Sequence, residues 1–274
     1  MPATSRNPKK LSKETTTLLE CGSRIVITAH LGYFFMRGNE MINVKKYIND
    51  PCNSLSMPYW KAKKTSVRSD TMIVHDSKYD EVLYRDWHDT KYYRMKHDLY
   101  HLTSKKIHDH FLFATVDEDS ILDVVNVINQ SNKEYEITKN DVNHWMREES
   151  YCKDLWILVY YKKIFHFNKE SKIVYDEYGK KQKKDKVYLP VGLIISNFDN
   201  STKEASIEQL HVIPSYRKFG LVESLIKESL LRISCIADFV TFSDKIDAEN
   251  DYNQEFKNAG FKDEAIWHVL KKNN

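Results

Sequence analysis

The chain has 274 residues, 30% of them charged and 41% hydrophobic, with a formal net charge of +3 and a mean hydropathy of -0.60. That length buries a substantial core as one large domain or two small ones, and so slight a charge excludes nucleic-acid binding driven by the net field alone. The 4 cysteines, Cys21, Cys52, Cys152 and Cys235, stand far apart without a CxxC pair, which argues against a disulfide frame or a zinc site and fits reduced thiols.

Residues 1–20 are polar and lack the apolar core of a signal peptide. Residues 25–36 are apolar but shorter than the ~20 residues a membrane-spanning helix needs, so the expected location is cytoplasmic, with no membrane partner. Residues 1–13 read as a loose arm and residues 23–47 as helical, weakened at Gly32 and Gly38. Residues 50–61 hold two prolines among turn formers and read as an ordered loop. Tyr59 and Trp60 are expected to pin that loop to the domain, the alternative being a pocket lining.

Residues 72–75 read as a short strand. Residues 79–110 are dense in Tyr, His, Lys and Arg, a mixture that can stack single-stranded nucleic acid. Asp80, Glu81, Asp86, Asp89 and Asp98 run through it and cancel the field, so nucleic acid is not the expected partner. His97 and His101 have the i, i+4 spacing of zinc ligands, but the HExxH glutamate is missing because residue 98 is Asp, and no metal is expected.

Residues 111–116 look like a first core strand, followed by a helix capped by Asp119 or Ser120. A second short helix over 138–149 opens at Thr138 with Asp141 in the capping-box place. Apolar strands follow at 155–167 and 187–198, joined by a Lys-rich stretch that reads as a solvated hairpin tip, an attraction for anionic ligands being the other possibility. The stretch 207–233 then switches period. Residues 207–213 are β-branched and aliphatic and stop at Pro214, while Val222, Leu225, Ile226, Leu230 and Ile233 fall on one face of a helix. The join between them holds Gly220, one of only 7 glycines, which implies a backbone requirement such as positive φ. The unpaired N–H groups of a helix start, with Arg217 and Lys218 beside them, form an anion site; a basic helix start facing water is the plainer reading. Further strands at 239–242 and 266–270 flank a helix over 248–259 ended by Gly260. Strands and helices in this order make an α/β layered domain.

The run Val-Ile-Pro-Ser-Tyr-Arg-Lys-Phe-Gly-Leu-Val at 212–222 resembles the acetyl-CoA signature of the GNAT superfamily of N-acetyltransferases, V-x-P-x-x-[RQ]-x-x-G-x-[GA]. Arg217 and Gly220 match, and Val222 departs from it. Residues 256–261 resemble the same superfamily's Y-x-x-x-G-F, with Phe256 for Tyr. The likeness covers residues 105–274 and leaves 1–104 as an N-terminal extension packed on the core beside the acceptor end.

The resemblance implies a mixed, mostly antiparallel sheet flanked by helices, splayed between its fourth and fifth strands, and acetyl transfer from acetyl-CoA to an amine. Carried over, Leu210, His211 and Val212 grip the pantetheine arm. Arg217, Lys218, Phe219, Gly220, Leu221 and Val222 meet the pyrophosphate, with the bulk of Val222 narrowing the approach. An acceptor amine of pKa about 10.4 must lose a proton before attack. Glu208, which by strand alternation shares a face with Leu210 and Val212 unless a bulge intervenes, is the candidate base. With Phe256 unable to donate a proton to the leaving thiolate, Tyr252, about 6 Å back along the same helix, is the candidate acid. An N–H of Leu210 or Val212 is the candidate oxyanion donor. A non-catalytic acyl-CoA-binding module and an interaction module built on 79–110 are the rival readings.

Overall fold

The computed structural model describes residues 43–64, 70–132, 135–167, 173–174, 183–246 and 252–272. The expected arm, most of the helix read over 23–47 and most of the Lys-rich tip lie outside these residues. In chain order the elements are α1 (Val44–Asn49), α2 (Pro51–Ser54), α3 (Tyr59–Lys64), β1 (Thr71–His75), β2 (Trp87–His97), β3 (Phe111–Thr115), α4 (Ile121–Ser131) and α5 (Lys139–Trp145). There follow β4 (Trp156–Phe167), β5 (Ile173–Val174), β6 (Lys183–Asp199), β7 (Glu204–Val212), α6 (Leu221–Ile233), β8 (Phe239–Lys245), α7 (Asn253–Asn258) and β9 (Lys262–Lys272).

The strands form one sheet in the order β1-β9-β2-β8-β7-β6-β4-β3, with β5 on β4. Every pairing is antiparallel except β7 with β8. Successive strand residues face opposite sides, so a sheet covered on both faces needs continuous apolar runs. In β4, Ile157 and Val159 join the core beneath α6, and Trp156 and Leu158 join the core beneath α4 and α5. Ile194, against Leu193 and Ile195, divides β6 the same way. The capping box opening α5 forms as its residues imply: Asp141 N–H donates to Thr138 Oγ1 at 3.4 Å, and Thr138 N–H donates to Asp141 Oδ2 at 2.7 Å.

One expectation about the elements needs correction. Residues 50–61 are not a loop but carry α2 and the start of α3, because Asp50 caps the first helix and Pro51 stands at its first position, where a missing N–H costs nothing. The aromatic residues of 79–110 divide between core and surface, with Tyr100 exposed. Tyr92 and Tyr93 are buried in β2, and Tyr79 stacks on His268 with ring centroids 3.7 Å apart. His97, read as an ordinary histidine, ends β2 and its Nε2 meets the Ala259 carbonyl at 3.1 Å. Among the described residues no group of three His, Cys, Asp or Glu side chains could hold a metal ion, and Cys152 and Cys235 are free thiols.

β2 is hydrogen-bonded on both sides, to β8 and to β9, so residues 87–97 lie inside the sheet. A buried polar cluster ties this strand to its surroundings. Arg94 donates to Glu204 Oε1 at 3.1 Å, to Tyr47 Oη at 2.9 Å, to Thr241 Oγ1 at 3.1 Å and to Ser243 Oγ at 3.0 Å. Tyr47 and Thr241 pass hydroxyl protons on to Glu204, at 2.8 and 2.6 Å. Arg94 is 1% exposed and Glu204 not at all, so α1, β2, β7 and β8 are joined by charges with no access to water.

Candidate active site

β7 and β8 pair only over Glu204–Ile207 with Phe239–Phe242. Beyond that rung β8 keeps only β2 as its partner, and the rest of β7 has no strand paired to it on that side, which leaves a slot. The sheet is therefore split in its middle, between the fourth and fifth strands counted from β3 if the short β5 is left aside.

At the mouth of the slot β7 carries one residue too many. Ile195 pairs with Gln209 and Ser196 with Ile207, leaving Glu208 without an opposite number. Such a bulge breaks strand alternation. Ile207, Leu210 and Val212 lie in the core beneath α6, whereas His211 meets Ser131 at the end of α4 through Nδ1 at 2.8 Å. Its Nε2 meets Gln209 Oε1, also at 2.8 Å. Glu208 goes with Gln209, not with Leu210 and Val212, and the expected parity is overturned by the extra residue. His211 is likewise turned to α4, and its backbone carbonyl lies on the β6 side of the strand, near Gly192.

Glu208 opens into a small cleft of about 30 Å³. Trp145, Trp156 and Ile195 form its apolar wall, and Lys61, Glu148 and Asn197 join Glu208 as its polar lining. Lys61 Nζ forms an ion pair with Glu208 Oε2. Glu208 Oε1, Asn197 Oδ1 and Trp156 Nε1 are buried without a hydrogen-bond partner. Polar atoms left in that state cost free energy and mark a place for a ligand or water. Burial holds the carboxyl of Glu148 above its ordinary pKa; the charge of Lys61 pulls it back, and Glu208 pushes it further up.

At the other end of β7 the chain makes a 3-10 turn, Pro214–Phe219, and reaches Gly220 at φ +67°. This is the left-handed conformation its scarcity implied, and it caps α6. A Cβ on Gly220 would also stand 3.2 Å from Lys105 Nζ, which comes from the segment leading into β3. Arg217 Nε donates to the Val212 carbonyl at 3.2 Å and so fastens the turn to the end of β7. Lys218 and Phe219 are exposed, while Leu221 and Val222 are buried in the core beneath α6. The side chain of Val222 packs inward, into that core. Glu223, in the first turn of α6, pairs with Lys105 and with Lys227. These hydrogen bonds hold its carboxyl below the ordinary range.

Phe256 is fully buried and stacked on Phe242, the last residue of β8 paired with β7, at 3.7 Å between ring centroids. Tyr252 caps α7 rather than lying within it, and is buried in the same core as Phe242 and Leu210. The structure therefore gathers Glu208, Leu210, Val212, Tyr252 and the Arg217–Val222 turn around β7. Lys61, Glu148, Asn197 and Lys105 complete the surroundings without having been found in the sequence. No spacing rule links them to β7, and the one signal for Lys61, its place beside Trp60 in the 50–61 stretch, read as loop chemistry.

No family model matches the sequence, and no curated protein matches it. Solved structures do share its fold. A GCN5-related N-acetyltransferase from Sphaerobacter thermophilus superposes with a TM-score of 0.51 at 11% identity; the match covers 76% of this chain and 62% of that one. A conserved protein of unknown function from Staphylococcus epidermidis matches at a TM-score of 0.48 and 15% identity, over 75% of this chain and 74% of that one. A GCN5-related N-acetyltransferase from Kribbella flavida matches at 0.44 and 9%, over 78% and 71%. The first of these carries the comparison, and at such identity what it establishes is the fold.

Proposed function

We propose, from the premise that this chain has the fold of the GCN5-related N-acetyltransferases, that it moves an acetyl group from acetyl-CoA to an amine. The observation that carries this reading is the parting of β7 from β8 after Ile207 and Phe242, with a left-handed glycine turn opening α6 at the far end of the same strand. A slot of this kind accepts the extended pantetheine arm along β7, at the backbone of Leu210, His211 and Val212. The N–H groups of residues 217–222 meet the pyrophosphate, with Arg217, Lys218 and Lys105 supplying charge.

In the reaction, Glu208 takes the proton of the acceptor ammonium, directly or through a water in the cleft. The freed amine attacks the thioester carbonyl, and the Leu210 N–H stabilises the resulting oxyanion. The carbon–sulfur bond then breaks and the thiolate of CoA leaves, taking its proton from Tyr252 or from water. The acceptor enters from the side of α5 and α3, where Trp145, Glu148 and Asn197 stand. The reading keeps the chain in the cytoplasm, where acetyl-CoA is made available, and needs no metal.

Isothermal calorimetry tests the premise: acetyl-CoA is expected to bind with a Kd on the order of micromolar, about −8 kcal/mol. Arg217→Glu is expected to abolish it. Absence of heat with the intact protein would falsify the reading. One observation favours a second reading, an acyl-CoA-binding module without turnover: Phe256 occupies the place of the superfamily's tyrosine and is sealed against Phe242. Binding of acetyl-CoA without thiol release across a broad panel of amines decides for it.

A further inference from the structure

The cleft at Glu208 already contains an amine. Lys61 reaches it from α3, with a side chain only 9% exposed, and its Nζ is paired with the carboxylate to which the reading above assigns proton abstraction. Lysine head groups are rarely taken out of water, because the desolvation cost is large unless a partner and a fitted site offset it. Here the segment around Lys61 is built to hold it. Its Nζ lies 5.2 Å from the centre of the Trp60 ring, and Trp145, Trp156 and Ile195 wall the cleft it enters. Glu208 stands immediately after the last rung that joins β7 to β8, at the apex of the slot. An ammonium there occupies the position an acceptor amine has to occupy.

We propose that Lys61 is an acceptor of this enzyme: in the presence of acetyl-CoA the chain acetylates its own Lys61 Nζ. The inference rests on the acetyl-transfer reading and adds to it a modification site and an acceptor class, the primary alkyl ammonium of a lysine side chain. Glu208 accepts one proton from the Lys61 ammonium. The neutral amine attacks the thioester carbonyl carbon, the nitrogen–carbon bond forms and the carbon–sulfur bond breaks. Of the two protons the ammonium sheds, one leaves through Glu208 and the other ends on the sulfur of free CoA. The products are Nε-acetyl-Lys61 and CoA thiol, with acetyl-CoA as sole co-reactant. The new amide carries no charge, so the Glu208 ion pair is lost. Its N–H and carbonyl then stand among Glu208 Oε1, Asn197 Oδ1 and Trp156 Nε1, which lack partners while the lysine is unmodified.

The test is incubation of the purified full-length chain with acetyl-CoA, followed by intact-mass measurement and peptide mapping, with acetyl-CoA binding measured on the same samples by calorimetry. Expected is one acetyl group on Lys61, formed with first-order kinetics that do not change when the protein is diluted. Lys61→Arg keeps the charge in the cleft and is expected to show no mark, and Glu208→Gln is expected to slow marking by about a hundredfold. Bound acetyl-CoA with Lys61 unmarked overturns the inference and leaves the acetyl-transfer reading standing. So does a mark that forms as fast in Glu208→Gln, or one whose rate rises with protein concentration. Failure of the wild-type chain to bind acetyl-CoA overturns both.

Discussion

Arg94→Met removes the cation from a cluster that water does not reach, and the structure sets the size of the effect. Glu204 is fully buried, and in the variant it keeps Tyr47 and Thr241 as donors but loses its counter-charge. Breaking a buried pair from one side costs about 3–5 kcal/mol, because a charge is left where desolvation is uncompensated. Against a total stability on the order of 5–15 kcal/mol, that is a large share. The pH dependence follows from the same burial. Burial raises the pKa of Glu204 above its ordinary 4.5, and Arg94 is the strongest influence drawing it back down. Without Arg94 the folded-state value rises further. A carboxyl with a raised folded pKa favours the fold most below its unfolded value and loses that contribution as pH climbs through the folded value. The deficit of Arg94→Met relative to wild type is therefore greatest near neutrality and shrinks as pH falls towards 4.5. Urea unfolding of both proteins at a series of pH values between neutrality and 4.5 measures this. The double variant Arg94→Met/Glu204→Leu is expected to recover part of the loss. A deficit below about 1 kcal/mol, or one flat across that range, refutes the account.

Gly220→Ala places a Cβ at φ +67° and against Lys105 Nζ. It is expected to lower stability by about 1–2 kcal/mol in urea titrations and to weaken acetyl-CoA binding as well. Tyr252→Phe, if Tyr252 protonates the leaving thiolate, lowers kcat without raising KM; equal kcat values in steady-state thiol-release assays remove Tyr252 from the mechanism. The carboxyl of Glu223 is lowered by Lys105 and Lys227, so its contribution to stability is present above the unfolded value of 4.5 and disappears as pH falls through the lower folded one. Lys105→Gln should flatten that acid limb of the stability profile, which thermal unfolding at a series of acid pH values reads directly.

The turn that caps α6 was legible because two independent constraints met there: a change of hydrophobic period and a rare glycine, which duly has positive φ. The capping box at Thr138 and Asp141 was legible for a similar reason, being local chemistry with one structural outcome. β2 was not legible. Tyr92, Tyr93, Arg94 and Met95 are buried in succession, so the strand shows no alternation, and its charged residues look solvent-facing. The partner that allows Arg94 to be buried is Glu204, far along the chain, and no local pattern records it. Glu208 was found as a residue type but placed on the wrong face. A bulge adds one residue to a strand without any mark in composition, and its effect on parity appears only when the partner strand is seen. Pro51 misled in the opposite direction, since proline punctuates loops but also begins helices.

The place of β2 between β8 and β9 has a consequence for how the protein is made. On the ribosome, residues 87–97 emerge long before either neighbour exists, and their second neighbour is not translated until the chain passes Lys262. At about 5–20 residues per second, the nascent aromatic segment waits on the order of ten seconds with both hydrogen-bonding edges bare. Chaperones that shield exposed strands act in that interval, and a ribosome stalled short of β9 releases a sheet that cannot close.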